Sequence, residues 1–213
     1  MSIRFDNQVA IVTGAGGGLG KEHALDLARR GAKVVVNDLG GGVDGSGASD
    51  AAKAVVDQII SEGGEAIANG ASVTDLDAVK AMVNEAMEKW GRIDILVNNA
   101  GILRDKSFHK DSIESFNAVM DVHFQGTLNC THTVYPIMRE QEFGRIIFTS
   151  SSSGVFGNFG QANYGSAKMA VIGLMNTLKL EGQKYNVYTN SITPVAYTRM
   201  TEGLIPEDFG KNM

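Results

Sequence analysis

The sequence predicts an α/β fold in which a doubly wound parallel sheet carries helices on both faces. Short apolar runs rich in β-branched residues alternate with longer stretches of helical periodicity. A glycine-rich turn joins the first of these runs to the first helical stretch. No internal repeat, long linker or change in composition divides the 213 residues. We therefore expect a single domain over 1–213, which is long enough to bury a sizeable core.

The first three elements form a βαβ unit. The strand-like run Gln8–Thr13 precedes the glycine-rich turn, and the helical pattern after the turn ends at Gly31. Lys33–Asp38 is a second strand with three consecutive valines. This order is typical of a parallel sheet, because the connection between two parallel strands has to cross over, usually as a helix.

Eight further elements complete the predicted sheet, and they alternate between helix and strand. In order, they are a helix over 48–62, a strand over 65–69, a helix from a cap at 74–75 to residue 90, a strand over 94–98, a helix over 112–139, a strand over 145–150, a helix over 163–184 and a strand over 187–194. The cap is expected because a threonine or aspartate oxygen can accept hydrogen bonds from the first N–H groups of a helix.

Composition argues against several classes of protein. The net charge of −5 and the absence of a basic block argue against nucleic acid or an anionic membrane as a partner. No apolar run is long enough to span a bilayer, and 1–7 lacks the features of a signal peptide. The single cysteine, Cys130, excludes an internal disulfide and fits a reducing compartment. We expect no metal site.

The glycine-rich turn, GAGGGLG (14–20), is the first candidate binding element. Gly14, Gly18 and Gly20 follow the spacing G-x-x-x-G-x-G rather than G-x-G-x-x-G. Without β-carbons the backbone can approach a pyrophosphate closely, and the following helix directs its N-terminus at that group. We therefore expect these glycines and Leu19 to contact a dinucleotide, as in a Rossmann-type domain. A plain tight connection is the alternative.

Asp38 indicates which dinucleotide is bound. It ends the second strand, 18 residues after Gly20. A carboxylate here can accept hydrogen bonds from the adenosine ribose and would repel a 2′-phosphate, so NAD is the expected cofactor. The alternative is that Asp38 caps the glycine-rich loop 40–49, in which we expect no chemistry.

A tyrosine and a lysine with helical spacing are the candidate catalytic pair. Tyr164 and Lys168 are four residues apart, so they share one face of a helix, and Ser151 precedes Tyr164 by thirteen residues. A nearby ammonium should lower the pKa of the phenol, which is about 10 when unperturbed, towards neutrality. The serine can then hold a substrate oxygen while the tyrosine transfers a proton. The alternative is a packed tyrosine beside a solvated lysine.

Four consecutive serines compete for the role beside Tyr164. If Ser150–Ser153 continue the strand, Ser151 and Ser153 point to one face and the other two to the opposite face. The thirteen-residue spacing selects Ser151, with Ser153 as the second choice. We expect Ser150 and Ser152 to bond the local backbone.

Three motifs in the same order and spacing resemble the short-chain dehydrogenase/reductase family. They are T-G-x-x-x-G-x-G at 13–20, N-N-A-G at 98–101, and Ser151 with Y-x-x-x-K at 164–168, and the resemblance covers essentially the whole chain. It implies that Ser151, Tyr164 and Lys168 are catalytic. It also implies a cofactor site that includes Asn99, the adenine-side residues Ser72 and Val73, the nicotinamide-side residue Thr198, and Tyr164 and Lys168 themselves.

A narrower resemblance is to the (3R)-hydroxyacyl-CoA dehydrogenase domains of the multifunctional enzymes of peroxisomal β-oxidation. It rests on 34–41, 98–105, 144–168 and 199–209. It implies NAD-dependent oxidation of a 3-hydroxyacyl-CoA, and some members act on 17-hydroxysteroids. Two alternatives are a reductase of 3-oxoacyl thioesters or small ketones, which NADPH use would favour, and a scaffold that binds NAD without catalysis. Because the serine, tyrosine and lysine are all present, the scaffold is disfavoured.

The same family implies an assembly and a location, and the chain departs from its pattern in places. Members pair through the helices predicted over 112–139 and 163–184, so we expect a homodimer or homotetramer, in the cytoplasm of a bacterium or the peroxisome of a eukaryote. His123 stands where the family has a proton-relay asparagine; it can serve through its backbone carbonyl or simply be packed. The family continues into a seventh strand that is missing here, so we expect the domain to be truncated or disordered at its C-terminus.

Overall fold

The computed structural model describes residues 3–47 and 49–195, in which six parallel strands form one sheet. The strands are β1 (Val9–Thr13), β2 (Lys33–Asn37), β3 (Glu65–Asn69), β4 (Ile95–Asn98), β5 (Gly144–Thr149) and β6 (Val187–Ile192). The order across the sheet is β3-β2-β1-β4-β5-β6. This arrangement confirms the predicted doubly wound, Rossmann-type α/β fold.

Seven α-helices connect the described strands. They are α1 (Gly18–Arg29), α2 (Ala51–Ser61), α3 (Leu76–Trp90), α4 (Ile113–Met120), α5 (Gly126–Glu140), α6 (Ser152–Phe156) and α7 (Ala162–Gly182). A single turn of π-helix (Asp121–Gln125), which we call the π-turn, joins α4 to α5, and short 3₁₀ helices occupy Phe108–Lys110 and Gln183–Tyr185. No helix in these ranges is long and apolar enough to cross a membrane.

The sheet separates two hydrophobic cores, one on each face. Along β1, Ala10 and Val12 pack with α1 and α2, whereas Ile11 points into the core formed with α3, α5 and α7. Successive side chains of a strand point to opposite faces, so a strand that is buried on both faces has to be apolar throughout. This explains why β1 and β2 read as continuous apolar runs.

Two boundaries differ from the sequence prediction, and one predicted helix cap is confirmed. The helix predicted over 112–139 is divided by the π-turn, which contains the buried His123. β5 ends at Thr149, so the serines that follow it do not alternate as on a strand. The predicted cap of α3 is confirmed: the carboxylate of Asp75 accepts hydrogen bonds from the N–H groups of Asp77 and Ala78, at 3.0 and 3.1 Å.

The strand order creates one crevice at the carboxyl edge of the sheet. The chain winds outward from β1 to β3 in one direction, then returns to place β4 on the other side of β1. In doubly wound sheets, ligands bind where the order reverses, just outside the carboxyl ends of the strands. The turns after β1 and β4 are therefore the expected location of a ligand-binding site.

Candidate active site

A cleft of about 460 Å³ lies at this reversal point. Its walls come from the turns after β1, β2, β3 and β4 and from the π-turn region. Seven of the residues predicted to bind the cofactor line it: Gly14, Gly18, Leu19, Asp38, Ser72, Val73 and Asn99. Thr198 lies outside the described residues.

The glycine-rich turn is tight and depends on its glycines. Gly14 and Gly18 have φ values of +63° and +52°, which side chains rarely tolerate. A β-carbon on Gly20 would overlap the carbonyl oxygen of Gly14 and lie 2.5 Å from the amide nitrogen of Asn99. The three predicted glycines therefore permit a tight turn that leads directly into the N-terminus of α1, which fits a pyrophosphate group.

The Asp38 side chain bonds both the turn after β1 and the turn after β2. One carboxylate oxygen accepts the N–H of Gly16 at 2.7 Å, and the other accepts the N–H of Gly40 at 2.6 Å. The expected alternative, a cap on the following loop, is therefore present. Each carboxylate oxygen retains a further lone pair, and because Asp38 also lines the cleft, capping and ribose binding are compatible.

Thr13 joins two of the sequence motifs, a role that sequence reasoning missed. Its hydroxyl oxygen accepts the backbone N–H groups of Asn99 and Ala100, at 3.0 and 3.1 Å. The amide of Asn99 donates in return to the carbonyl oxygens of Thr13 and Gly14, at 3.1 and 3.0 Å. The turns after β1 and β4 thus hold each other in place. The only sequence signal was the threonine that opens the first motif.

The adenine-side residues lie at the end of β3. The Ser72 hydroxyl bonds the Thr74 hydroxyl at 2.8 Å. Val73 is buried, and its carbonyl oxygen accepts a hydrogen bond from the side-chain amide of Asn129 at 2.9 Å. Asn129, a buried residue of α5, was not foreseen, because nothing in a helical pattern distinguishes a polar residue that supports a distant loop.

Tyr164, Lys168 and Ser151 come together beside the cleft. The Lys168 ammonium lies 5.5 Å from the centre of the Tyr164 ring and donates to the carbonyl oxygen of Thr149 at 2.6 Å. Ser151 caps α6, where its hydroxyl oxygen accepts the N–H of Ser153 at 3.2 Å, and its side chain acts to lower the pKa of the Tyr164 phenol. The solvated lysine of the alternative interpretation is absent here, since only 4% of Lys168 is exposed.

Ser150 and Ser153 differ from Ser151 in their positions and hydrogen bonds. Ser150 is buried, and its hydroxyl donates to the carbonyl oxygen of Lys168 at 2.8 Å, so the expectation that it bonds the local backbone is wrong. Ser153 lies inside α6. Of the four serines, Ser151 is the one whose side chain alters the pKa of Tyr164.

The pKa values in this cluster differ from the simple expectation. Burial raises the pKa of Tyr164; interaction with Ser151 opposes this shift, and the negative charge of Asp105 adds to it. Burial lowers the pKa of Lys168 to about 7. Lys168 is therefore only partly charged near neutrality, and its nitrogen bonds Thr149 instead of the phenol. For these two reasons, desolvation of the phenol outweighs the expected effect of the ammonium.

His123 connects the cleft to Tyr164. Its Nε2 lies 2.8 Å from the carbonyl oxygen and 3.1 Å from the nitrogen of Ile102, which lines the cleft. Its ring meets the ring of Tyr164 edge-on, with centroids 5.1 Å apart. Burial and the charge of Lys168 lower the pKa of His123 to about 3, so the ring is neutral. The side chain is packed, as one alternative held, and the relay role remains a prediction.

Asn163 holds the start of α7, and sequence reasoning missed it. Its amide nitrogen donates to the carbonyl oxygen of Arg104 and to the carboxylate of Asp111, both at 3.0 Å. Its oxygen accepts the backbone N–H of Tyr164 at 2.6 Å. This buried side chain therefore fixes Tyr164 relative to the segment after β4. An asparagine at the start of a helix gives no sequence signal for such distant partners.

Comparison with known proteins places these motifs in one family. The family described as short chain dehydrogenase matches residues 8–208. A peroxisomal multifunctional enzyme type 2 from Drosophila melanogaster is 55% identical over 206 residues, which make up 96% of this chain and 34% of that protein. The chain therefore spans about one third of the length of this curated relative.

Two solved structures share the fold. A short chain dehydrogenase from Mycobacterium avium has a TM-score of 0.84 and 44% identity, covering 95% of this chain and 72% of that one. A 7α-hydroxysteroid dehydrogenase was solved with NADH and 7-oxo-glycochenodeoxycholic acid. It has a TM-score of 0.88 and 31% identity, and the match covers 99% of this chain and 79% of that one. The family generally uses NAD or NADP. This chain belongs to the short chain dehydrogenase family of oxidoreductases.

Proposed function

We propose that the protein interconverts a secondary alcohol and a ketone with NAD, and that its substrate pair is a (3R)-3-hydroxyacyl-CoA and the 3-oxoacyl-CoA. The observation that carries the reaction type is the cluster of Tyr164, Lys168 and Ser151 beside a cleft shaped for a dinucleotide. The substrate class rests on similarity to the multifunctional enzyme. For a eukaryotic source, the same similarity supports a peroxisomal location.

The proposed chemistry divides among these three side chains. Ser151 holds the substrate oxygen, and Tyr164 removes the hydroxyl proton during oxidation or returns it during reduction. Lys168 is buried beneath the tyrosine ring; its protonated form supplies positive charge to the site and a donor for the cofactor ribose. When bound, the oxidised nicotinamide accepts the hydride and adds a positive charge that lowers the pKa of the phenol. The protein contributes position and electrostatics.

The remaining predicted residues are assigned to the cofactor. The glycine-rich turn with Leu19 admits the pyrophosphate, and Asp38 accepts hydrogen bonds from the adenosine ribose. Asn99 packs against the cofactor from the turn after β4. Ser72 and Val73 contact the adenine, and Thr198 contacts the nicotinamide carboxamide.

The substrate assignment is tested by following NADH formation at 340 nm with full-length protein. A (3R)-hydroxyacyl-CoA, its (3S) isomer and a 17-hydroxysteroid are compared, each with NAD and with NADP. Turnover of the (3R) thioester with NAD supports the proposal. Preference for NADPH and a 3-oxoacyl thioester would favour the reductase instead. Binding of NAD without turnover of any of these substrates would refute the substrate class.

Replacing Asp38 by asparagine should shift the preference towards NADP. Losing one negative charge beside the adenosine ribose removes the repulsion of a 2′-phosphate, so the ratio of kcat/KM for NADP to that for NAD should rise by about 10- to 100-fold. The ratio is used because the amide also disturbs the bonds to Gly16 and Gly40. Asp57→Asn, an exposed change on α2, is the control. An unchanged ratio would contradict the role of Asp38.

We also propose a homodimer or homotetramer that packs through α7. Five of its exposed residues share one stripe at helical spacing: Ser166, Met169, Gly173, Asn176 and Leu180. Met169 and Leu180 are 49% and 74% exposed, and Gly173 has nothing within 4 Å of the position of a β-carbon. Small and apolar residues along one face allow close approach of a second helix.

Met169→Arg should reduce the mass of the native protein measured by light scattering after gel filtration. A charge buried against a partner helix without a counter-charge costs several kcal/mol, which is enough to dissociate an ordinary interface. Ala81→Arg, which adds the same charge at an exposed position on α3, should leave the mass unchanged. A wild-type monomer, or a variant of unchanged oligomeric mass, would exclude this interface.

A further inference from the structure

The segment after β2 crosses over the cleft and is tied to the far side. The N–H of Leu103 donates to the carbonyl oxygen of Val43 at 2.9 Å, and Nε of Arg104 donates to the carbonyl oxygen of Asp44 at 3.1 Å. Residues 103 and 104 follow β4, and β1 lies between β2 and β4 in the sheet. Residues 39–47, which we call the strap, therefore pass above the glycine-rich turn at the end of β1.

The strap has an ordered internal structure. The N–H of Gly42 donates to the carbonyl oxygen of Ser46 at 2.6 Å, and the N–H of Gly45 donates to that of Gly42 at 3.0 Å. The Asp44 carboxylate accepts both the N–H and the hydroxyl of Ser46, at 3.1 and 2.7 Å. These bonds hold in place the carbonyl groups of Val43 and Asp44, which accept the hydrogen bonds from residues 103 and 104.

Arg104 is the cationic residue of the cleft. Among the residues the structure describes, it is the one basic side chain that lines the cleft, together with the acidic Asp38 and Asp121. Its side chain is half-buried and uses Nε for the strap, while the Nη groups have no hydrogen-bond partner within the described part of the chain. A guanidinium is always charged and has five N–H donors in a planar fork suited to phosphate.

We propose that Arg104 binds a phosphate group of the ligand with its Nη donors while its Nε holds the strap closed. The inference rests on the proposed function only in that the ligands carry phosphate: the dinucleotide pyrophosphate and the phosphates of coenzyme A share this chemistry. A phosphate bound to Nη fixes the guanidinium that anchors Asp44. Ligand binding therefore stabilises the closed strap, and by reciprocity the closed strap strengthens ligand binding. We expect the gain in affinity to appear mainly as slower ligand release.

The test compares Arg104→Met and Arg104→Lys with the wild type in ligand binding, which needs no turnover. NADH is titrated by its fluorescence, and its release is followed by stopped flow. Binding of a 3-oxoacyl-CoA and of the matching pantetheine thioester, which lacks the nucleotide phosphates, is measured by calorimetry. Lys110→Met, an exposed change on the same segment, is the control, and circular dichroism verifies the fold of each variant.

If the phosphate belongs to the dinucleotide, Arg104→Met should bind NADH about 10- to 100-fold more weakly and release it correspondingly faster, because a charge-assisted hydrogen bond is lost. Arg104→Lys keeps the positive charge but not the planar fork of donors, so it should lose less affinity for NADH than Arg104→Met. If the phosphate belongs to coenzyme A, the loss should appear with the CoA thioester and not with the pantetheine thioester.

Equal binding of NADH and the CoA thioester by the wild type and both Arg104 variants would overturn the inference. A loss of affinity in Lys110→Met as large as that in Arg104→Met would overturn it too. A wild type that binds NADH but turns over no hydroxyacyl-CoA refutes the proposed substrate and leaves Arg104 testable through NADH, so the two failures are distinguishable.

Discussion

Replacing Tyr164 by phenylalanine should lower turnover by about 10²–10⁴-fold and leave NADH binding nearly unchanged. The change removes only the hydroxyl, which is the proposed proton donor and acceptor, and general acid–base catalysis typically contributes this factor. The ring remains against His123 and above Lys168, so the packing of the site is preserved. Steady-state rates and a fluorescence titration with NADH measure the two effects separately.

The matched control for this change is Tyr135→Phe. Tyr135 lies in α5 within the core, and its buried hydroxyl has no hydrogen-bond partner in the described residues. Losing that hydroxyl should therefore leave turnover unchanged and cost little or no stability. Turnover of Tyr164→Phe at the wild-type rate, with NADH still bound, would refute the assignment of Tyr164 as the acid–base residue.

Replacing Lys168 by methionine should lower turnover by about 10²–10³-fold and remove a pH dependence of stability. The folded protein binds the Lys168 proton with a pKa of about 7, whereas a lysine of the unfolded chain has a pKa of about 10.4. Between these values the unfolded state holds more protons, so the free energy of unfolding rises with pH. The cost of burying the charge is fully present below about pH 7.

Urea unfolding at pH 7 and pH 8 measures this effect. The wild type should gain about 1 kcal/mol between these pH values, and Lys168→Met should gain nearly nothing. The upper limit is chosen because burial raises the pKa of Cys130 to about 12, which reduces stability above the ordinary thiol pKa. Lys179→Met, at an exposed position of α7, should retain the wild-type gain. A gain in Lys168→Met equal to that of the wild type would contradict the lowered pKa.

The sheet could be predicted because short stretches of sequence are enough to identify its strands and the helices between them. The central strands β1, β2 and β4 are buried on both faces and therefore read as apolar runs, and glycine or a cap marks where helices begin and end. That Tyr164 and Lys168 share one face of a helix could also be predicted, since they are one helical turn apart; their catalytic role remains a proposal. The position of Ser151 followed from spacing even though its expected strand geometry was wrong: Ser151 caps a helix.

The features that could not be predicted depend on contacts between distant segments. Asn163 bonds Arg104, 59 residues away, and Arg104 bonds the strap, 60 residues away. The strap itself was expected to carry no chemistry, because nothing within it reveals what it crosses. The raised pKa of Tyr164 likewise depends on how deeply its surroundings bury it, which no spacing between residues indicates.

The hydroxyl of Thr13 makes two distant turns behave as one unit. It bonds the N–H of Asn99, 86 residues away, while the Asn99 amide bonds back to the first turn. Opening either turn leaves polar groups of the other without partners, which is costly in a partly buried position. Local unfolding should therefore expose the amides of both turns to hydrogen exchange together, as a single cooperative element. The turns after β1 and β4 thus share one local stability, although they are far apart in the chain.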